Sequence, residues 1–200
     1  VLTSAPVPLA VAVFTLLWCA AIGMLTGAFG WDATLTQIGW FFTKAALLTF
    51  GGAYAVLPYV YQASVEHYQW LTPAQMIDGL ALGETTPGPL IMIVAFVGFV
   101  GAWGKEVFGA EALFVAGAAG AAIATFFTFL PSFLFILAGG PFIETTHGRL
   151  GFTAPLTAIT AAVVGVIVNL AVFFAWHVFW PEGASGRFEW FASLISAAAF

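Results

Sequence analysis

Glu84, Thr85 and Thr86 stand directly before Pro87-Gly88-Pro89-Leu90, inside an otherwise apolar run from Met76 to Trp103. An acid, two hydroxyls and a break in helical backbone are groups from which an anion site with a proton carrier can be built. Proline removes a backbone donor and clashes with the preceding turn, and the residue before it is pushed out of the α region. One helix is therefore expected to end at Thr86, and a second to start at Pro87 with Thr86 as its N-cap. The backbone N–H groups of Gly88 and Leu90 would then be free at a helix beginning, which carries an effective charge of about +0.5 and suits oxyanions. Gly88 has no side chain to block approach, and the Thr85 and Thr86 hydroxyls can donate. The same residues also read as a kink whose threonines bond back to the preceding turn. An ionised Glu84 would repel an anion. A carboxyl removed from water favours its neutral form, so Glu84 can carry and release a proton, and Asp78 offers the same chemistry. Each acid also reads as an interfacial carboxylate, and Glu84 as a partner for Lys44.

Lys44 and the pair Gly51-Gly52 form the second group. Lys44 lies about 12 Å inside a helix at 1.5 Å per residue. It either snorkels to the interface or faces an internal cavity as a positive charge. Gly51 and Gly52 either let two helices approach closely or unwind the helix and expose backbone groups. Enzyme signatures are absent: there is no His-Glu-x-x-His, no Gly-x-Ser-x-Gly and no phosphate-binding Gly-Lys motif. His67, His147 and His177 fall in or near loops and interfaces, far apart. The single cysteine, Cys19, lies in an apolar helix and excludes an internal disulfide. No cofactor or metal is implied.

The elements that position these groups belong in a membrane. Hydrophobic residues make up 62% of the chain and charged residues 6%, against about a quarter charged in soluble domains. Mean hydropathy is +1.05. No basic cluster is present for nucleic acid or anionic lipid. The pattern predicts an all-α polytopic membrane protein with helices near 9–29, 36–61, 112–139 and 154–179. A broken or re-entrant pair is expected at 74–84 and 90–103, and a short helix at 189–200. Pro58 and Pro131 predict kinks, and Gly139-Gly140-Pro141 a helix end. Thr72, Pro73 and Gln75 predict a capped helix start, and Gln62 to Pro73 a polar connection. The Ala- and Gly-rich stretch up to Ala124 is expected to pack closely against neighbours. The chain lacks an initiating Met, and its last apolar segment covers only about 16 Å at helical rise. It therefore reads as a piece of a larger membrane protein, one transmembrane domain over 1–200.

Two long motifs carry a resemblance. Phe42-Thr43-Lys44-Ala45 leads to Phe50-Gly51-Gly52-Ala53-Tyr54-Ala55-Val56-Leu57-Pro58-Tyr59-Val60, and Gln75-Met76-Ile77-Asp78-Gly79 runs through Glu84-Thr85-Thr86-Pro87-Gly88-Pro89-Leu90 to Met92. With Gly101-Ala102-Trp103, this stretch resembles the C-terminal half of the chromate transporter family. The match is strong from Thr43 to Trp103; the flanking helices fit by hydropathy and position. The resemblance implies a bacterial or archaeal inner-membrane protein that exports chromate, with sulfate as a close analogue, driven by the proton gradient. It also implies two homologous halves of opposite topology. The expected partners are then the oxyanion, protons, the lipid bilayer and the homologous N-terminal half, fused or separate, or a second copy of the chain. A membrane subunit whose glycine faces serve assembly, without transport, is the alternative.

Overall fold

The computed structural model describes residues 7–49, 53–86, 92–145, 153–180 and 188–199. All regular structure among these residues is helical: α1 (Val7–Phe29), α2 (Thr34–Leu48), α3 (Ala53–Tyr61), a π-helix (Gln62–His67), α4 (Pro73–Thr85), α5 (Ile93–Gly104), a 3-10 turn (Ala110–Ala112), α6 (Leu113–Thr145), α7 (Thr153–Phe179) and α8 (Trp190–Ala199). Val7–Phe29, with 23 residues, and Ala110–Gly139, with 30, are long and apolar enough to cross a membrane. A hydrocarbon core of about 30 Å needs about 20 residues.

The α1–α2 hairpin is closed by polar groups at the start of α2. A helix end leaves carbonyls without intrahelical donors. Here the Thr36 hydroxyl donates to the Gly30 carbonyl at 2.8 Å, and the Gln37 amide donates to the Trp31 carbonyl at 2.9 Å. Gly30 itself takes φ 88°, the left-handed conformation in which glycine ends a helix at little cost. From this turn α2 presents Leu35, Ile38, Phe42 and Ala45 inward at helical spacing, all buried. Most of α1 faces outward instead, with Leu16 at 69% and Met24 at 73% exposure. Such a surface suits lipid or another apolar partner.

Glycines bring α5 and α6 into contact. A Cβ on Gly98 would collide with the Gly120 carbonyl and lie 2.7 Å from the Ala124 Cβ; one on Gly120 would collide with the Gly98 carbonyl. The rings of Phe99 and Phe127 rest on Gly117 of α6 and Gly39 of α2, where an added Cβ would come within 2.7 and 2.8 Å. The Ala- and Gly-rich first half of α6 thus packs as its composition predicts. Among the described residues, no buried side-chain polar atom lacks a hydrogen-bond partner.

Three expected boundaries differ. The helix predicted from 36 to 61 is two helices, because α2 stops at Leu48. Its last turn closes locally: the Thr49 N–H donates to the Ala46 carbonyl at 3.3 Å and the Thr49 hydroxyl to the Ala45 carbonyl at 2.6 Å. The connection expected after Tyr61 begins as a π-helix, with the Tyr68 N–H bonded to the Ala63 carbonyl at 2.8 Å. Finally, α6 continues through Pro131 and past Gly139 to Thr145. Gly, Ser and Pro are tolerated inside a long apolar helix when side chains and neighbours satisfy the backbone. One turn before Pro131 the Thr128 hydroxyl bonds back to the Ala124 carbonyl at 2.7 Å.

Candidate functional site

The capping box predicted at Thr72 starts α4: the Thr72 hydroxyl accepts from the Gln75 N–H, and the Gln75 side chain accepts from the Thr72 N–H at 2.9 Å. The helix has 13 residues and α5 has 12, so each covers less than about 20 Å at helical rise. Neither reaches across a bilayer core alone. Thr86 is extended, with φ −87° and ψ 124°, as its place before a proline dictates. It closes α4 as the C-cap, and α5 runs from Ile93; the helix start expected at Pro87 lies outside the described residues. Gly88 and Leu90, like Gly51 and Gly52, lie outside the described residues.

Both threonines bond back. The Thr85 hydroxyl donates to the Ala81 carbonyl at 2.8 Å, and the Thr86 hydroxyl donates to the Leu82 carbonyl at 2.6 Å. Each hydroxyl has one proton, so in this arrangement neither donates outward. The Leu82 carbonyl also accepts from the Thr86 N–H at 3.0 Å, so these hydroxyl bonds are additional back-bonds to the last turn of α4. A recess of about 580 Å³ opens beside this end, lined by Gly83, Thr86, Met92, Phe96 and their neighbours. Phe96 of α5 lies on Gly79 of α4, where an added Cβ would come within 2.5 Å of the ring. The two arms of the break are thus held together. Glu84 and Asp78 are both exposed on α4.

Lys44 lines a different recess, of about 460 Å³, with Tyr59, Gln62, Glu66, His67 and Tyr68. Its ammonium lies 5.7 Å from the centre of the Trp40 ring, a favourable placement for a cation. Trp40 in turn meets Trp18 and Trp31, with ring centres 5.9 and 5.6 Å away. The Trp18 indole N–H donates to the Thr43 hydroxyl at 3.0 Å. On the far wall, Tyr68 stacks on Trp70 at 4.4 Å, and His67 meets Tyr68 edge-on at 4.6 Å. Tyr68 belongs to the connection between the π-helix and α4. Burial pushes its phenol above the ordinary tyrosine value, and Tyr59 adds to the effect, so the phenol remains a donor at neutral pH.

Lys44 and Thr86 therefore line two different recesses. The contribution of Gln62, Glu66 and His67 was not legible in the sequence, where they belonged to a polar connection. In a π-helix the backbone bonds from i to i+5, so His67 lies over Gln62, as i+4 lies over i in an α-helix. Gln69 then reverses the chain in the left-handed region at φ 52°, and the Ser64 carbonyl accepts from the Trp70 N–H at 2.7 Å. The available signal was the spacing of Gln62, Glu66 and His67 directly after a proline-containing helix. No group of His, Cys, Asp and Glu able to hold a metal occurs among the described residues.

Two helices long enough to cross a bilayer and largely apolar outer faces are features of a helical membrane protein. The family model described as "Chromate transporter" matches residues 36–200, and the chain belongs to that family. It is 34% identical over 157 residues to the chromate transport protein of Cupriavidus metallidurans, covering 78% of this chain and 35% of that protein. It is 38% identical over 124 residues to the chromate transport protein of Pseudomonas aeruginosa, covering 62% of this chain and 26% of that protein. A probable chromate transport protein of Synechococcus elongatus is 29% identical over 69% of this chain and 32% of its own length. The chain thus spans about a third of the length of these relatives. No solved structure matches it.

Proposed function

We propose that this chain forms one half of an inverted-repeat transporter that exports chromate across the inner membrane, with sulfate as a competing dianion and protons moving in exchange. The observation that carries this reading is the interruption between α4 and α5. Within a family of transporters, two helices too short to span flank the Pro87-Gly88-Pro89 motif, and a recess opens beside Thr86. Unpaired backbone at membrane depth is tolerated where it lines a cavity.

In this reading the amides of Gly88 and Leu90 donate to the oxyanion. Thr85 and Thr86 hold the end of α4 through their carbonyl bonds, and rotation of either hydroxyl adds a donor when ligand arrives. Gly51 and Gly52, just beyond the end of α2, supply a second interruption, and Lys44 contributes positive charge. Glu84 or Asp78 carries the proton. The homologous N-terminal half, or a second copy of the chain, completes the pathway. The assembly reading has less support, because the glycine faces of α5 and α6 are already occupied by each other.

The test is chromate accumulation in everted membrane vesicles from cells that produce the protein. Gly88→Leu is expected to lower transport more than tenfold, on the order of a lost binding interaction of about 1.4 kcal/mol or more. Thr86→Ala is expected to lower it less. Wild-type transport in Gly88→Leu would sink the assignment. Glu84→Gln and Asp78→Asn are expected to identify the proton carrier: one of them should remove the dependence on the pH gradient. Unchanged dependence in both would place coupling elsewhere.

A further inference from the structure

We propose that the recess between α2 and the π-helix is a second oxyanion station, in which Lys44, Gln62 and His67 receive a tetrahedral dianion and whose occupancy is linked to proton uptake. This deepens the transport reading and rests on it.

The first support is Lys44 itself. It is half-buried, and its ammonium lies over the face of Trp40. No acid lies within ion-pair distance of it among the described residues. A cation withdrawn from water without an anionic partner is costly, and in membrane segments such charges face cavities and pathways. The aromatic face offsets part of that cost, and Lys44 borders both the apolar recess beside Trp40 and the recess with Gln62 and His67. An anion arriving there gains a charge-assisted bond without breaking an existing ion pair.

The second support is the backbone opposite. The π-helix and the left-handed Gln69 are two uncommon conformations within eight residues, Gln62 to Gln69. Single π turns recur at functional sites, and strained backbone persists where the surroundings over-determine it. Here the π winding carries Gln62, Glu66 and His67 together to the wall facing Lys44. The Gln62 amide can donate, and the phenols of Tyr59 and Tyr68 add neutral donors. The volume of about 460 Å³ holds a tetrahedral oxyanion with several waters, each of which occupies about 30 Å³ in the liquid.

The charge balance of the recess gives the proton linkage. The groups that face His67 are Lys44 from α2, Tyr59 from α3, its neighbour Glu66, and Tyr68 in edge contact. With imidazole neutral and Glu66 ionised, the lysine charge is cancelled and a dianion meets no net attraction. One proton on His67, or on Glu66, turns the wall positive. Binding of the dianion therefore takes up a proton, and release returns it.

The experiment is chromate binding to the purified protein in detergent. Chromate absorbs where tryptophan emits, and Trp40 lies beside Lys44. Quenching of tryptophan emission reports chromate occupancy, and displacement by sulfate, dianionic throughout, reports affinity without a change in ligand charge. Sulfate affinity is expected to fall about tenfold or more from pH 6 to pH 8 through uptake of one proton. Lys44→Gln should weaken binding at least about tenfold at pH 6, whereas Lys44→Arg should retain most of it. His67→Gln should flatten the pH dependence, and Gly23→Ala on α1, where an added Cβ meets nothing within 4 Å, should leave it in place. Wild-type affinity in Lys44→Gln, with binding abolished in Gly88→Leu, would refute this station and keep the helix break. An unaltered pH profile in both His67→Gln and Glu66→Gln would refute the linkage. No chromate binding by the unsubstituted protein would overturn the transport reading along with it.

Discussion

Gly98→Ala tests the contact on which the membrane scaffold rests. Its Cβ would overlap the Gly120 carbonyl and stand 2.7 Å from the Ala124 Cβ. The first obstacle is backbone, so no side-chain rotation relieves it, and the two helices must separate. Overpacking a tight interior costs about 1–3 kcal/mol, and a backbone obstacle puts this case at about the upper end of that range. The separation also weakens Cα–H contacts to the facing carbonyls, at about 0.5–1 kcal/mol each. A loss of about 3 kcal/mol lowers the melting temperature of a 150–250-residue protein by roughly 6–12 °C. The assay is thermal unfolding in detergent, followed by size-exclusion chromatography of the surviving monodisperse fraction. Gly23→Ala on α1 is the control, since an added Cβ there meets nothing within 4 Å and alanine favours helix over glycine by about 1 kcal/mol. It should melt at or above the unsubstituted temperature. Equal melting of the two variants would refute the close α5–α6 contact. Additive effects of Gly98→Ala and Gly120→Ala would also count against it, because both remove one shared contact and contacting sites are expected to couple.

Other outcomes follow from local geometry. Thr72→Ala removes the capping hydroxyl that accepts from the Gln75 N–H and should destabilise the start of α4 by about 1 kcal/mol, read as faster hydrogen exchange at the first α4 amides. Trp18→Phe deletes the indole donor to the Thr43 hydroxyl and should lower the melting temperature modestly, by the loss of a net hydrogen bond of about 1 kcal/mol. The Tyr68 phenol is held above its ordinary value, so its stabilising effect is complete below the unfolded tyrosine value and disappears as pH rises through the folded one. The melting temperature should therefore fall more steeply above about pH 10 in the unsubstituted protein than in Tyr68→Phe; parallel profiles would contradict this.

The elements that were legible in the sequence are those whose signal is local. Proline at 73 after Thr72 announces a helix start whatever lies around it, and the capping box is present. Small residues at 98, 117 and 120 announce a close helix contact, because few other roles require them in an apolar helix. What was illegible depends on tertiary partners. A hydroxyl's direction is not encoded by its neighbours, so the threonines at 85 and 86 read equally as donors to a ligand or to carbonyls; the structure has them on carbonyls. The π winding from Gln62 depends on the Ser64 and Ala63 carbonyls finding donors at Trp70 and Tyr68, whose rings meet Phe41 of α2 with centres 5.9 and 6.0 Å away. The continuation of α6 past Gly139 to Thr145 was missed for a related reason. Breaking residues end helices in water, where the freed backbone is solvated; in an apolar helix neighbouring groups must satisfy it, and continuity is favoured.

Within a bilayer, helices gain little by burying apolar surface against one another, because lipid tails are equally apolar. Close glycine contacts and buried hydrogen bonds must then do the positioning that hydrophobic burial does in water. Their distribution in this chain is uneven. Downstream of the break, α5 is fixed to α6 through Gly98 and Gly120; upstream, Phe96 rests on Gly79 and ties α4 back to α5. The far end of α4 is fixed by its capping box. Both arms that flank the Pro87-Gly88-Pro89 segment are thus anchored, with Phe96 seven residues beyond Pro89 and Gly79 eight residues before Pro87. In the function proposed above, fixed arms lower the ordering cost of binding a small rigid anion between them. The recess at Lys44 is built otherwise: its wall is a π turn held by two carbonyl bonds and stacked rings. A turn of that kind can relax to α-helical winding and carry His67 away from Gln62. If both recesses take the anion as proposed, the first is framed by fixed helix contacts and the second by a π turn.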